Sequence, residues 1–561
     1  MTVRPEQFAA ATWEEVRSRY AELAARPLDA ASAPAWLADW SAFEAALTEA
    51  AALAMIAYTC DTEDAAKRDA YLRFSGEILP KAEEQSVGLQ KRLVALGWVP
   101  PGMELPVRRF RAQIEIFREA NVPLLAEGET LGSEYQQITG GFTATWEGEE
   151  LPLPRLAPFL KSLDRDVRER AFRASTAPYV GARERLAGIF DRMYALRQRI
   201  AANAGFADFE AYSFAAKQRF DYTPADCRRW HDAVEATVLP AIRRLHQARR
   251  ARLGLEALRP WDLQVDPAGR PALTPFRDDQ ELAATTERIF QGVDPALGRE
   301  FATMRGEGLL DLGSRKGKAP GGYCETLHFR GRPFIFMNAA GTPEDVMTLL
   351  HESGHAFHAF AAHALPYVWQ RGPTMEQAEL ASMGMELLAF EGLRRANGGF
   401  FDEAEWARAR REHLEDTLLT LAHVASVDAF QSWIYTSGEG ADPAARDRAW
   451  LRIRARFDPE VDWSGLEAER VARWYRQLHI FLYPFYYIEY GLAQLGALQL
   501  WRNARRDHPA TLRAYQRALA LGGTATLPEM YRAAGVELIF TPGPLQALVD
   551  LVEGELARLP E

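Results

Sequence analysis

Apolar residues recur three and four positions apart along almost the whole chain, in a composition dominated by Ala, Leu, Glu and Arg. This spacing places apolar side chains on one face of an α-helix, whereas strands alternate every second residue. The chain has 561 residues, 48% of them hydrophobic, which is enough to bury a large core. The sequence therefore predicts a mainly α protein.

A few segments depart from the helical pattern. Residues 142–153 alternate β-favouring side chains around Glu147-Gly148, which predicts a small hairpin. Residues 256–274 are rich in Pro and Gly and predict a long loop. Two short apolar runs, LLDL at 309–312 and FIFMN at 334–338, are separated by glycine-rich turns. We expect these runs to form a small β-sheet.

The charge and cysteine content exclude several classes of protein. The 66 basic and 77 acidic side chains leave a net charge of −11, which argues against nucleic acid or an anionic membrane as a partner. Three widely spaced cysteines favour neither a disulfide framework nor a cysteine metal site. The N-terminus lacks the apolar region of a signal peptide, and no later run resembles a membrane span. We expect a soluble, cytoplasmic protein, with its oligomeric state left open.

One apolar helix carries an unusual set of polar residues. Residues 348–360 read TLLHESGHAFHAF, so His351 and His355 project from the same helix face, four positions apart. With Glu352 they form the H-E-x-x-H pattern, in which two imidazoles bind zinc and the glutamate acts on a water at the metal. The alternative is a pair of core histidines beside a surface glutamate. Thr342 as N-cap and Pro366 after the helix set its expected bounds.

A catalytic zinc site needs a third protein ligand, and the next helix offers candidates. This helix is expected to begin at the capping box of Thr374 and Gln377. Glu379 lies in its second turn between alanine and leucine residues, an unusual setting for a carboxylate without a partner. Glu386, seven residues on, lies on the same face and is either solvated or a neighbour of the site, whereas Glu376 is expected at the surface.

Other residues of the motif helix have less direct roles. His358 cannot converge with His351 and His355 on one tetrahedral ion, because the three span two turns of one straight helix. We expect it in the core or behind the metal ligands, and His363 at the helix end. Gly354 weakens the helix by roughly 1 kcal/mol relative to alanine, which indicates that another group comes close to the helix there.

These residues carry a family resemblance. HESGHAFH at 351–358 resembles the HExGHxxH motif of the thimet oligopeptidase and oligoendopeptidase F family of zinc metallopeptidases. ELASMGMELL resembles the family segment with the third ligand, and Glu379 follows His355 by 24 residues, as in the oligoendopeptidase and Pz-peptidase branch. The likeness covers most of residues 110–500 and is greatest to Pz-peptidase-type oligopeptidases.

The resemblance implies a mainly α, two-lobed helical shell around a deep channel with one Zn²⁺ ion on its floor. Residues 1–200 would form the N-terminal helical region of the lobes, and residues 201–561 the catalytic region. The ligands would be His351, His355 and Glu379, as in gluzincin-type enzymes.

Aromatic residues cluster near the end of the chain. Tyr483, Tyr487 and Tyr490 are spaced four and three apart, can share one helix face and follow His479. On spacing alone they are an aromatic core stripe. The resemblance instead implies that His479 and the pair Tyr487 and Tyr490 lie across the channel from the zinc and stabilise the oxyanion. Tyr483 fits the thimet-type spacing, and Tyr486 is expected in the core.

The combined hypothesis is a zinc metalloendopeptidase that cuts short, unstructured peptides, with Glu352 as the proton acceptor. The strand at 334–338 is expected either to pair with an extended substrate or to be an ordinary buried strand. A metallo-carboxypeptidase or dipeptidyl carboxypeptidase would share the zinc chemistry, but would need a cation for the substrate carboxylate. The non-enzymatic alternative is a peptide-binding helical scaffold with a structural metal.

Overall fold

The computed structural model describes residues 3–560 and contains 24 α-helices and five β-strands within them. The strands are β1 (Thr143–Trp146), β2 (Glu149–Pro152), β3 (Leu310–Gly313), β4 (Tyr323–Leu327) and β5 (Arg332–Ala339). The helices are α1 (Trp13–Ala25), α2 (Ala33–Cys60), α3 (Ala65–Arg73), α4 (Leu79–Leu96), α5 (Glu104–Ile116), α6 (Val122–Gly140), α7 (Ala157–Leu160), α8 (Arg165–Gly181), α9 (Arg183–Ala204), α10 (Phe209–Ala216), α11 (Pro224–Arg252), α12 (Asp279–Val293), α13 (Pro295–Gly306), α14 (Pro343–Ala362), α15 (Val368–Arg371), α16 (Met375–Ala389), α17 (Glu403–Thr436), α18 (Pro443–Phe457), α19 (Glu467–Tyr475), α20 (Leu478–Leu482), α21 (Tyr487–Ala504), α22 (His508–Ala520), α23 (Leu527–Ala533) and α24 (Pro542–Leu556).

The chain forms two compact units, each assembled from three separate stretches. The first unit comprises Met1–Glu115, Leu273–Arg410 and Leu492–Leu538, and the second comprises Ile116–Ala272, Arg411–Gly491 and Ile539–Glu561. The prediction of a mainly α protein is confirmed, since helices account for 69% of the residues. The division into residues 1–200 and 201–561 remains a prediction, as does the channel.

The core of the first unit is built largely on α2. Trp36, Leu37 and Trp40 are fully buried and pack with aromatic and aliphatic side chains of the neighbouring helices. In the described part of the chain, α2 is the one helix whose length and composition would suit a membrane span. A core helix of a folded protein can have the same length and composition, and the burial of these three side chains is what such a core helix shows.

The three-stranded sheet of the first unit leads directly into the motif helix. Its order is β3-β5-β4, with β3 parallel and β4 antiparallel to β5. Phe334, Ile335, Phe336 and Met337 are all buried, as expected for a central strand covered on both faces. Because β5 has a neighbour on each side, the hypothesis that FIFMN pairs with a substrate is wrong, and the alternative of a buried strand is confirmed.

The second unit contains the hairpin and a separate aromatic core. β1 and β2 pair antiparallel, and Glu147 and Gly148 between them both have positive φ, 51° and 89°, so the predicted hairpin is confirmed. The core of this unit is centred on Phe190, Trp450 and Trp474, which are fully buried. Residues 256–274 contain only one short 3₁₀ turn, Pro260–Asp262, as the predicted loop requires.

Candidate metal centre

The capping chemistry fixes where α14 begins and therefore where its histidines lie. The Thr342 hydroxyl accepts a hydrogen bond from the Asp345 amide at 3.3 Å, and the Asp345 carboxylate accepts one from the Thr342 amide at 2.8 Å. This reciprocal pair satisfies two amides that the first helical turn leaves without partners. The helix ends at Ala362 with His363 as its C-cap, as predicted. His351 and His355 therefore lie in the middle of a well-bounded helix.

Helices α14 and α16 are in tight contact at Gly354. A Cβ atom at Gly354 would lie 2.5 Å from the Ala381 carbonyl oxygen and 2.5 Å from Ser382 Cα. No side chain larger than hydrogen fits there without moving the backbone of α16, which explains the glycine inside the motif helix. The close contact also brings Glu379 towards the two histidines.

Gly354→Ala is expected to destabilise the protein and weaken metal binding, because α16 would have to move away from the histidines. Overpacking of this kind costs about 1–3 kcal/mol, which exceeds the gain in helix propensity of about 1 kcal/mol from replacing glycine. A matched control is Gly188→Ala, since a Cβ at this position in α9 meets nothing within 4 Å. Thermal unfolding and bound zinc should both fall for Gly354→Ala only. Equal behaviour of the two variants would contradict the close-packing argument.

Three side chains supply donor atoms suited to a metal ion. The donor atoms of His351, His355 and Glu379 all lie within 4.8 Å of one another. Glu379 Oε2 is 3.4 Å from His351 Nε2 and 3.9 Å from His355 Nε2. Two imidazole nitrogens and one carboxylate oxygen form a zinc ligand set that leaves a position for water or substrate. The residues present therefore fit the metal that the motif implies.

Two neighbours fix the orientation of these donors. His351 Nδ1 donates a hydrogen bond to Glu386 Oε1 at 2.7 Å, which leaves Nε2 as the donor atom towards a metal. The Ser382 hydroxyl donates to Glu379 Oε2 at 3.2 Å. Of the two possibilities for Glu386, the structure places it beside the site.

The remaining acidic and histidine residues lie away from the donor set. His358 is 4% exposed, and its Nε2 atom is buried without a hydrogen bond in the described part of the chain. Burial lowers its pKa to about 3, so His358 is a neutral core residue at physiological pH. Glu376 is 3% exposed, so the expectation that it lies at the surface is wrong. Its position in the first turn of α16 faces the interior, as Glu379 does one turn later.

The electrostatics of the site favour a cation between the carboxylates and the imidazoles. Burial alone would lower the pKa of His351, but hydrogen bonds to Glu379 and Glu386 outweigh it and raise that pKa. Burial lowers the pKa of His355 to about 4, and the neighbouring His351 adds to this shift, so His355 is an uncharged donor. Burial likewise raises the pKa of Glu352 to about 7. The Glu352 carboxyl is therefore suited to exchanging a proton near neutral pH.

The predicted tyrosine segment lies in the second unit and is not one continuous helix. α20 ends at Leu482 and α21 begins at Tyr487, with Phe485 between them at a φ of 60°. Tyr483 precedes α21 and is 52% exposed. The expectation that Tyr483 shares a helix face with Tyr487 and Tyr490 is therefore wrong.

The break in the helix gathers the tyrosines around His479. The centroid of the His479 ring lies 5.0 Å from that of Tyr487, 5.4 Å from Tyr486, 5.8 Å from Tyr483 and 6.1 Å from Tyr490. Tyr486 is half-buried, so its assignment to the core is wrong. We call these five residues the His479 cluster.

Residues that the sequence did not single out hold the His479 cluster in place. The Tyr487 hydroxyl donates to Gln477 Oε1 at 2.9 Å, and the His423 ring meets the Tyr487 ring edge-on at 5.5 Å between centroids. Arg219 pairs with the buried Glu489 at 2.7 Å and also donates to the Phe485 carbonyl. No spacing in the sequence predicts the contacts of His423 and Arg219, because these two residues lie far from the His479 cluster along the chain.

The chain matches two family models and several known proteins. Residues 159–549 match Peptidase family M3, and residues 5–98 match the Peptidase M3 N-terminal domain. Oligopeptidase PepF of Bacillus subtilis is 24% identical over 419 residues, an alignment that covers 72% of this chain and 58% of PepF. An oligoendopeptidase F homolog of Borreliella burgdorferi is 23% identical over 459 residues, covering 76% of this chain and 72% of that protein.

Solved structures resemble the chain over nearly its full length. Pz peptidase A with inhibitor 2 has a TM-score of 0.89 and 28% identity, covering 98% of both chains. An oligoendopeptidase F of Bacillus anthracis, described as putative, has a TM-score of 0.85 and 25% identity, covering 98% of this chain and 96% of that one. The resemblance drawn from the motif is confirmed, and these relatives support a zinc metalloendopeptidase. The Peptidase family M3 model matches more than half of the chain, so the chain belongs to peptidase family M3.

Proposed function

We propose that the protein is a zinc-dependent oligoendopeptidase that hydrolyses internal bonds of short, unstructured peptides. The observation that carries this proposal is the donor set of His351, His355 and Glu379, brought together by the close packing of two helices. Membership of peptidase family M3, whose metallopeptidases depend on zinc in general, supports the choice of metal and reaction. The relatives named as oligopeptidases support the substrate class.

The ligands and the proton carrier have separate roles. His351 and His355 would bind zinc through Nε2, and Glu379 through its carboxylate. When bound, zinc supplies Lewis-acid chemistry, which lowers the pKa of water and polarises a carbonyl group. The Glu352 carboxylate would take the proton of the attacking water and pass it to the nitrogen of the leaving amine. Burial of this carboxyl, at 8% exposed, shields the transfer from bulk solvent.

The His479 cluster would stabilise the developing oxyanion. Tyr490 and Tyr487 carry hydroxyl groups near one imidazole, and donors of this kind act best when they are held in place beforehand. The Tyr487 hydroxyl donates its single proton to Gln477 at 2.9 Å, so Tyr487 would donate to an oxyanion only after releasing Gln477. An extended substrate that adds a strand to the sheet would use an edge strand, β3 or β4, because among the described strands each of them pairs with β5 on one side only.

A mixed peptide pool tests the proposal against its rivals. The protein should bind zinc, cut peptides internally and lose both metal and activity in Glu379→Ala. Product termini read by mass spectrometry identify the cleaved bonds. Removal of only one or two C-terminal residues would favour a carboxypeptidase, and zinc binding without turnover would favour a scaffold. The proposed site of action is the cytoplasm, in keeping with the net charge of −11 and relatives that are bacterial oligopeptidases.

A further inference from the structure

A cavity lies in the second unit, beside the His479 cluster. It has a volume of about 290 Å³ and is formed by α8, the 3₁₀ turn Pro260–Asp262 and the end of α19. Its lining includes Phe172, Trp261, Trp463, Arg473, Arg476 and Gln477. We call this cavity the arginine pocket. Its walls combine aromatic rings with two guanidinium groups.

Buried ion pairs give the arginine pocket a fixed wall. Asp262 is fully buried and pairs with Arg168 at 2.9 Å and with Arg165 at 2.8 Å, which ties the 3₁₀ turn to α8. The Phe172 ring lies 5.7 Å from Trp261 and 6.1 Å from Trp463 between centroids. The shape of the pocket is therefore set before any ligand binds, which lowers the entropic cost of binding.

Positive charge exceeds negative charge around the pocket. Asp458 is shared by three arginines, with Arg454 at 3.2 Å and Arg470 and Arg473 both at 3.9 Å. Arg476 is the C-cap of α19, three residues after Arg473, and makes no ion pair within residues 3–560. Three guanidinium groups thus share the carboxylate of Asp458, and Arg476 adds a further positive charge in the lining of the pocket. A further anion would balance this charge.

Burial and the neighbouring arginines lower the pKa of Arg473 in the pocket. Burial lowers the pKa of Arg473 to about 10, and Arg454, Arg476 and Arg470 contribute to the shift by repulsion. Burial also lowers the pKa of His423, which lines the pocket, to about 3, so this imidazole adds no charge. None of the described residues that line the pocket carries a carboxylate. Its chemistry therefore selects an anion rather than a cation.

The arginine pocket is connected to Tyr487 by hydrogen bonds. Gln477 lines the pocket, accepts the Tyr487 hydroxyl at 2.9 Å and donates to the Arg473 carbonyl at 3.2 Å. His423 lines the pocket and meets the Tyr487 ring. A group bound in the pocket would therefore lie one side chain away from a residue proposed to act on the scissile bond.

We propose that the arginine pocket binds the C-terminal carboxylate of a peptide substrate, with an apolar C-terminal side chain against the tryptophans. This inference rests on the proposed peptidase function and names a part of the substrate that the enzyme recognises. The planar guanidinium of Arg476 matches a carboxylate through two parallel hydrogen bonds. The volume of about 290 Å³ suits the end of a chain, not a folded surface. Cleavage would then occur at a preferred distance from the C-terminus.

Three versions of one cleavable peptide test the proposal. The first has a free C-terminal carboxylate, the second a C-terminal amide, and the third an amide with glutamate as the last residue. The wild type should cut the free acid about tenfold to a hundredfold faster in kcat/KM than the amide, since a hydrogen bond to a charged group contributes this much. If the pocket recognises the terminal carboxylate, the glutamate amide should have the same kcat/KM as the plain amide. If a side-chain carboxylate is enough, its kcat/KM should equal that of the free acid. The latter result would overturn the assignment to the C-terminus.

The variants separate recognition from general charge. Arg476→Gln should bring the acid-to-amide ratio to about one, and Arg476→Lys should retain part of the preference. Arg192→Gln is the matched control, because Arg192 is exposed, lies on α9 in the same unit and pairs with Glu134 at 3.5 Å. Its ratio should match the wild type. A wild-type ratio near one, or an Arg476→Gln ratio that is unchanged, would overturn the proposal.

A binding experiment distinguishes failure of this inference from failure of the proposed function. N-acetyl-Phe-Leu and its C-terminal amide are titrated into the full-length protein by calorimetry, with inorganic phosphate as a competing anion. Tighter binding of the acid, lost in Arg476→Gln, supports the pocket even if no peptide is hydrolysed. Active enzyme that binds acid and amide equally would remove the inference and leave the peptidase intact. Phosphate binding without any preference for the acid would show a general anion site and would also overturn it.

Discussion

Glu352→Gln is expected to retain zinc and to lose most peptide hydrolysis, by about 10²–10⁴ in kcat. The amide has the shape of the carboxylate but cannot accept the proton of the attacking water. The ligand atoms belong to other side chains, His351, His355 and Glu379, so the metal should remain bound. Zinc analysis and kinetics on the same preparation measure both effects.

The control for this prediction is another glutamate of the same helix. Glu344 lies in the first turn of α14 and is exposed, so Glu344→Gln removes one negative charge from the helix without altering the buried site. Its activity should stay close to that of the wild type. If Glu352→Gln kept zinc and also kept near-normal turnover, Glu352 would have no part in the reaction.

Features that depend on contacts within a few residues could be predicted from the sequence. The capping box at Thr342 and Asp345 and the turn at Glu147-Gly148 are of this kind, because the interacting groups are neighbours in the chain. The start of α16 at Met375 was predicted for the same reason. The helices and the hairpin followed from these signals and from the apolar spacing. The two histidines of the motif are identified in the same way, since they lie four positions apart on one helix.

Features that depend on distant contacts could not be predicted in this way. β4 was missed, because YCETL has little apolar alternation and is held as a strand by its pairing with β5. The third ligand, Glu379, needed the packing of two helices, for which Gly354 was only an indirect sign. The resemblance to a known family supplied the missing step.

The tyrosine segment shows how tertiary contacts override a helical spacing. The sequence spacing placed Tyr483 on the face of Tyr487 and Tyr490, but the chain turns at Phe485 with positive φ. The Phe485 amide donates to Gln431 at 2.8 Å, and its carbonyl accepts from Arg219. Gln431 lies on α17, and Arg219 lies in the segment between α10 and α11. The backbone hydrogen bonds of this turn are therefore satisfied without continuing the helix.

Tyr490→Phe is expected to lower kcat by about 10²–10³ with little change in substrate binding. The substitution keeps the ring, which packs 5.0 Å from Tyr486 and 6.0 Å from Tyr487 between centroids, and removes only the hydroxyl. A tyrosine that served packing alone would lose almost nothing. Steady-state kinetics with one peptide, together with thermal unfolding to verify the fold, measure the effect.

Tyr483→Phe provides the decisive comparison, because the same hydroxyl is removed from the same cluster. Tyr483 lies 5.8 Å from His479 between ring centroids but is 52% exposed and outside α21. Solvent around an exposed hydroxyl weakens its electrostatic effect on a developing charge, so this variant should change kcat less than about threefold. A large loss in Tyr483→Phe and none in Tyr490→Phe would transfer the oxyanion role to Tyr483, as the thimet-type spacing requires. Small effects in both would leave the His479 cluster as aromatic packing.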